Sequence, residues 1–163
     1  MANDILVLVE SKEGKLRKPS AELLSEAGRL SQSLGGSVKA LVIGDAVSKV
    51  VSELGTYGVQ EAYVAEHAEF KLYNVERYTA IVVEACQKSG VGVLLATASS
   101  MGRDLIPRVA ARLSTGMITE CTALRVEGGK IVGQRPIYAG KVLVDVTVPN
   151  SLPQVATCRP NVF

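Results

Sequence analysis

Tryptophan is missing from this sequence, and the other aromatic rings are few: five tyrosines and two phenylalanines. No basic stretch is interleaved with them, which argues against a base-stacking nucleic-acid surface. Charge of one sign is lacking too. Eighteen basic side chains stand against 16 acidic ones, a formal net charge of +2, so a polyanion gains little attraction. The one histidine, His67, lies in a polar stretch and reads as a surface-loop side chain. A histidine metal site or a Ser-His-Asp triad would have to be built around it alone. The three cysteines, Cys86, Cys121 and Cys158, are far apart, odd in number and without C-x-x-C spacing. That excludes an ordinary disulfide framework or zinc site and leaves reduced core thiols. No apolar run approaches the ~20 residues of a membrane span. No signal or transit segment is recognisable ahead of the first strand pattern. The expected home is a reducing cytoplasm, without membrane insertion.

What is present suits one globular domain over residues 1–163, with 47% hydrophobic and 21% charged residues. Ile5 to Val9 is a continuous apolar run, the mark of a strand buried on both faces. Pro19 opens a helical pattern of Leu23, Leu24, Ala27, Leu30 and Leu34, stopped by Gly35-Gly36. Val38–Ile43 is a second strand. Asp45 is placed to cap a helix carrying Val47, Val50, Val51 and Leu54. A short strand at Ala62–Ala65, a helix from Asn74 to Lys88, a strand at Val91–Thr97 and a helix from Asp104 to Leu113 follow.

Four strand–helix alternations predict a three-layer α/β fold, mainly a parallel sheet with helices on both faces. From Ile118 the period falls to two, most plainly at Val142, Val144, Val146 and Val148. Glu127-Gly128-Gly129-Lys130 signals a two-residue hairpin, and Tyr138–Lys141 a second turn. The tail is therefore expected to add antiparallel strands to the parallel core.

The candidate chemistry is sparse. Carboxylates are scattered singly, and neither G-x-S-x-G nor H-E-x-x-H occurs. The residues point to a binding or assembly domain rather than an enzyme. The polar turn Ser99–Asp104 leads from a strand into a helix, where free N–H groups favour an anion. Ser99, Ser100, Gly102 and Arg103 are the anion-pocket candidates. They would face the loop Glu10–Lys18, with its Lys12, Lys15, Arg17 and Lys18, if the first and fourth strands are neighbours where strand order reverses. Neither G-x-x-x-x-G-K-[ST] nor G-x-G-x-x-G is present. The plainer reading is a cap at Ser99, a tight bend at Gly102 and a solvated Arg103. Arg108 and Arg112 lie one helical turn apart. They are open to two readings: a local Asp104–Arg108 pair, or a basic strip shown to a partner.

Three ordered stretches carry a family resemblance. Met101-Gly102-Arg103-Asp104-Leu105-Ile106-Pro107-Arg108-Val109-Ala110-Ala111-Arg112-Leu113 resembles a signature of the electron-transfer flavoprotein alpha subunit. Arg135-Pro136-Ile137-Tyr138-Ala139-Gly140 is similar to its R-x-x-Y-A-G hairpin, and Arg159-Pro160-Asn161-Val162-Phe163 to its R-P-N-x-F motif. The resemblance implies a first domain with the fold of the adenine nucleotide alpha-hydrolase group, acting as a scaffold that docks a beta subunit. FAD would be held in the second domain of the complete subunit. That domain is absent from these residues, which match no flavin-binding motif of the family. Electrons would pass from flavin dehydrogenases, indirect partners of this piece. Arg108, Arg112, Arg135 and Tyr138 are the interface candidates, and Pro107 fits the first turn of the expected helix, where its missing N–H costs nothing. The loop after the first strand lacks the S-G-G-x-[DST]-S phosphate motif of the pyrophosphatase relatives. The alternatives are a free-standing AMP- or ATP-binding module and a homodimer paired through the antiparallel tail.

Overall fold

The computed structural model describes residues 3–163. In chain order the elements are β1 (Ile5–Val9), a two-strand ribbon β2 (Ser11–Lys12) and β3 (Lys15–Leu16), α1 (Lys18–Leu34), β4 (Val38–Gly44), α2 (Ser48–Leu54), β5 (Glu61–Glu66), α3 (Val75–Ser89), β6 (Val93–Thr97), α4 (Ser100–Arg112), β7 (Met117–Cys121), β8 (Ala123–Glu127), β9 (Lys130–Ile137), β10 (Val142–Thr147) and β11 (Gln154–Cys158).

Six strands form one sheet in the order β5-β4-β1-β6-β11-β7, every neighbouring pair parallel. The alternation of side chains divides its core in two. Ile5, Val7 and Val9 of β1, with Val38, Ala40 and Val42 of β4, turn to a cluster closed by Leu23, Leu24, Ala27 and Leu30 of α1 and by Val50 and Leu54 of α2. Leu6, Leu8, Leu41 and Ile43 turn the other way, to Tyr78 and Val82 of α3 and Leu105, Ile106 and Val109 of α4. The three expected layers are present.

The ends of the elements follow local chemistry. α1 has Pro in its first turn and stops at Gly35, whose φ of 69° is the left-handed conformation glycine adopts without a Cβ clash. Asn74 caps α3, its side chain accepting the Arg77 N–H at 3.0 Å. Asp4 ties the start of β1 to the entry of β4, accepting the N–H and hydroxyl of Ser37 at 2.8 and 2.7 Å. Those bonds hold its carboxyl below the usual range.

Three expectations need correction. Asp45 does not cap α2. No side chain caps it; Glu66, at the end of β5, instead anchors the approach to the helix, accepting the Val47 N–H at 3.3 Å and the Ser48 hydroxyl at 3.2 Å. α4 begins at Ser100, four residues before the expected Asp104, because Ser99 supplies the cap and accepts the Gly102 N–H at 3.0 Å. Pro107 therefore lies inside the helix, where it has no N–H to donate to the Arg103 carbonyl. Finally, the tail is not wholly antiparallel.

β8, β9 and β10 make an antiparallel sheet, with the Gly128-Gly129 hairpin joining Glu127 to its partner Lys130. That sheet covers the α1 side of the core through Leu124 and Ile131. β7 and β11 instead belong to the parallel sheet. β11 is buried along its whole length between β6 and β7.

Candidate functional site

From β1 the chain crosses to β4 on one side. β6, on the other side of β1, leads towards β7 at the opposite edge. Strand order reverses between β1 and β6, and an open parallel sheet forms a crevice at the carboxyl ends of such strands. The loops after β1 and β6 meet there, as the sequence predicts. Two cavities of about 550 Å³ each open at this edge. One is bordered by the β2–β3 ribbon, Asp45 and Tyr73, and the other by Glu10, Arg17, Ser99 and Arg103.

The second cavity has a carboxylate at its base. Glu10 directly follows the all-apolar β1 and is only 7% exposed. Its Oε1 accepts the hydroxyl of Thr97 and that of Ser99, the latter at 2.6 Å. Its Oε2 receives the Arg17 guanidinium at 2.8 Å. Its backbone N–H donates to the Ser20 hydroxyl at 2.9 Å. Ser99 thus links two charges. It accepts from the α4 N-terminus and donates to Glu10, so the free N–H end of the helix acts on the carboxylate through one hydroxyl.

The four anion-pocket candidates lie together on the first turns of α4. Ser99 is the cap, and Ser100 is exposed at the first helical position. Gly102 is not at a bend. It is buried in the helix, where a Cβ would overlap the Thr97 carbonyl oxygen. Arg103 reaches across to Glu120 of β7, Nε to Oε1 at 3.0 Å. The other oxygen of Glu120 receives Arg159 at 3.1 Å. Glu120 holds a left-handed backbone, φ 55°, and its N–H donates to the Thr157 hydroxyl at 3.1 Å. The β11–β7 register shifts at this level, and that irregularity turns Glu120 towards the two arginines.

The interface candidates fall in two separate places. Arg108 and Arg112 are on the outer face of α4. Arg108 pairs with Asp104 at 3.3 Å, and Asp104 also accepts the Tyr73 hydroxyl at 2.8 Å. Partial burial and that carboxylate push the Tyr73 hydroxyl well above the usual tyrosine range. Arg112, in the last turn, is exposed at the negative end of the helix dipole. Arg135 and Tyr138 are on β9 and its following turn, in the layer on the opposite face of the parallel sheet. Arg135 bonds the Thr119 hydroxyl, while its buried Nε has no partner. Tyr138 is 74% exposed and heads an apolar tip with Val142 and Leu143. Tyr138 and Ala139 both carry positive φ, 49° and 55°.

The remaining chemistry-bearing residues serve the fold. His67 is exposed, and its Nδ1 accepts the Glu69 N–H at 3.2 Å in a short helical turn. The three cysteines are buried and unpaired with one another. Burial pushes the Cys86 thiol up to about 12 and that of Cys121 to about 11, and Cys158 rises for the same reason. Among the described residues no cluster of histidine, cysteine and carboxylate side chains is placed to hold a metal ion. No described helix is long and apolar enough to cross a membrane.

Sequence reasoning singled out the cations and hydroxyls of the cleft but missed Glu10 and Glu120 as their partners. Glu10 has a local signal, an acid fixed to the end of a strand buried on both faces. Glu120 has none. Its partners Arg103 and Arg159 are on other elements, and only the fold brings them to it.

These features define a parallel α/β platform with a crossover crevice whose wall carries an internally paired carboxylate, and an appended antiparallel sheet. The chain matches the electron transfer flavoprotein domain over residues 5–163 and belongs to that family. It is 37% identical over 161 residues to the electron transfer flavoprotein subunit alpha of Megasphaera elsdenii, a match covering 98% of this chain and 48% of that protein. Protein FixB of Clostridium saccharobutylicum is likewise 37% identical, with 98% and 48% covered. Identity is 34% to the electron transfer flavoprotein subunit alpha of Bacillus subtilis, covering 99% of this chain and 49% of that one. The chain spans about half the length of the curated relatives it matches.

Proposed function

We propose that this chain is the rigid N-terminal docking domain of an electron transfer flavoprotein alpha subunit, residues 1–163 forming one domain. In the complete subunit, FAD carries electrons from flavin dehydrogenases, and this domain supplies support and contact surface. It acts as a carrier component rather than a catalyst. Its partners are a beta subunit and the FAD domain of its own subunit, in a cytoplasmic setting. The observation that carries this reading is the state of the crossover crevice. A dinucleotide pyrophosphate needs free donors, and here the Thr97 and Ser99 hydroxyls are taken by Glu10, which also pairs Arg17, while Arg103 pairs with Glu120. These residues do not fit FAD, which supports its lodging elsewhere. The same occupancy leaves an AMP- or ATP-binding module with less support.

The contact surfaces assigned to this role are the outer face of α4, with Arg108 and Arg112, and the tip at Arg135 and Tyr138. Because they lie on opposite faces of the parallel sheet, they suit two different neighbours. The test is to purify the chain, record its absorbance and titrate it with a matching beta subunit in a calorimeter. A colourless protein that binds the beta subunit is expected. A stoichiometric flavin spectrum, or no association, would overturn the reading.

A further inference from the structure

We infer that Glu10 is an internal substitute for a ligand's anionic group: it fills an oxyanion site at the strand crossover and closes that site to phosphates.

Three observations support this. The first is composition. The carboxylate is held by one guanidinium and two hydroxyls, and one hydroxyl relays the α4 N-terminus. A cation, short hydroxyls and a helix start are the groups that hold a small oxyanion such as phosphate. The second is burial. Glu10 is 93% removed from solvent, and a carboxylate so placed persists only where its lone pairs are met. Here both oxygens have partners, and the Arg17 nitrogen that faces the site is taken by Glu10. The third is position. Glu10 stems from the last turn of backbone leaving β1, at the reversal of strand order, where this class of sheet has its crevice. The neighbouring cation Arg103 is paired too, with Glu120, although that pair stays in contact with water.

The consequence is specific. Truncating Glu10 should expose a preformed oxyanion site, which soluble anions then fill. The probes are sodium acetate and inorganic phosphate, against sodium chloride at equal ionic strength, with thermal unfolding and calorimetry as readouts. Wild-type chain should show no saturable response to any of the three salts. Glu10→Ala should be less stable in chloride and should recover saturably with acetate or phosphate. With millimolar binding, an anion at ten times its dissociation constant raises the folded-to-unfolded ratio roughly tenfold. Adding Arg17→Met should abolish the recovery. No anion-specific recovery in Glu10→Ala would overturn the inference. So would wild-type chain that binds phosphate or AMP as tightly as the variant does.

If Glu10→Ala fails to fold in chloride, refolding in acetate is the same test. Recovered soluble protein supports the site, and none refutes it. Glu10→Gln, of equal shape without charge, is the second arm. A fall of roughly ten- to a hundredfold in the folded-to-unfolded ratio is expected, the scale of a hydrogen bond to a charged group. Unchanged stability would show that no anion is required there.

Discussion

Gly102 of α4 rests against the backbone of Thr97, with the Thr97 carbonyl oxygen occupying the volume a side chain at 102 would need. This approach lays the first turn of the helix on the end of β6. It also places the Ser99 cap where its hydroxyl reaches Glu10. The glycine is thus a packing requirement rather than a bend. Gly102→Ala is expected to cost about 3 kcal/mol, since neither strand end nor helix can yield without disturbing a buried layer. Urea denaturation measures it. A loss within experimental error would mean that the helix moves aside freely.

Glu120 pairs with both Arg103 and Arg159, but all three side chains keep contact with water, at 27%, 60% and 41% exposure. Pairs in that setting are weak and screened by salt. A double-mutant cycle on Arg103 and Glu120 should give a coupling of about 0.5–1 kcal/mol, smaller in 1 M salt. A coupling unaffected by salt would show a drier network than the exposures allow.

The thiols predict a loss of stability in alkali. Their folded values lie above the ordinary one, with Cys86 at about 12 and Cys121 at about 11. Above pH ~9 the unfolded chain releases thiol protons that the folded chain retains. Stability should therefore fall as pH rises from about 9 towards 11–12, by at most about 1.4 kcal/mol per pH unit for each thiol. In native protein at pH 8 a thiol reagent should modify none of the three, and in denaturant all of them. The slope should flatten in a Cys86→Ala, Cys121→Ala double variant.

The exposed tip at Tyr138 offers a separation of stability from binding. Tyr138 buries little within the chain and carries a left-handed backbone. Left-handed non-glycine residues are characteristic of sites that meet ligands or partners. Tyr138→Ser is expected to change folding stability by less than about 0.5 kcal/mol. It should weaken beta-subunit binding at least tenfold, as loss of an aromatic anchor does. Equal affinity of variant and wild type would remove the tip from the interface.

Most of the layered core is legible along the chain. β1 is an uninterrupted apolar run, and β6 one up to Thr97, because both their faces are buried, and α1 and α3 show one apolar stripe because one face is. Gly128-Gly129 fixed its hairpin through local backbone freedom alone. Boundaries were less legible. The start of α4 depended on whether Ser99 or a later residue caps, and competing caps look alike in one dimension. The fate of the tail could not be read locally. β11 has strand character whichever sheet receives it, and only the gap between β6 and β7 decides its place and direction. The cleft shows the same division. Arg17, Ser99 and Arg103 were visible as an anion's usual company, but Thr97 and Ser99 stand 87 and 89 residues from the carboxylate they meet. Groups so far apart in the chain are joined by packing, and it is the folded arrangement that brings the hydroxyls to the carboxylate in the cleft.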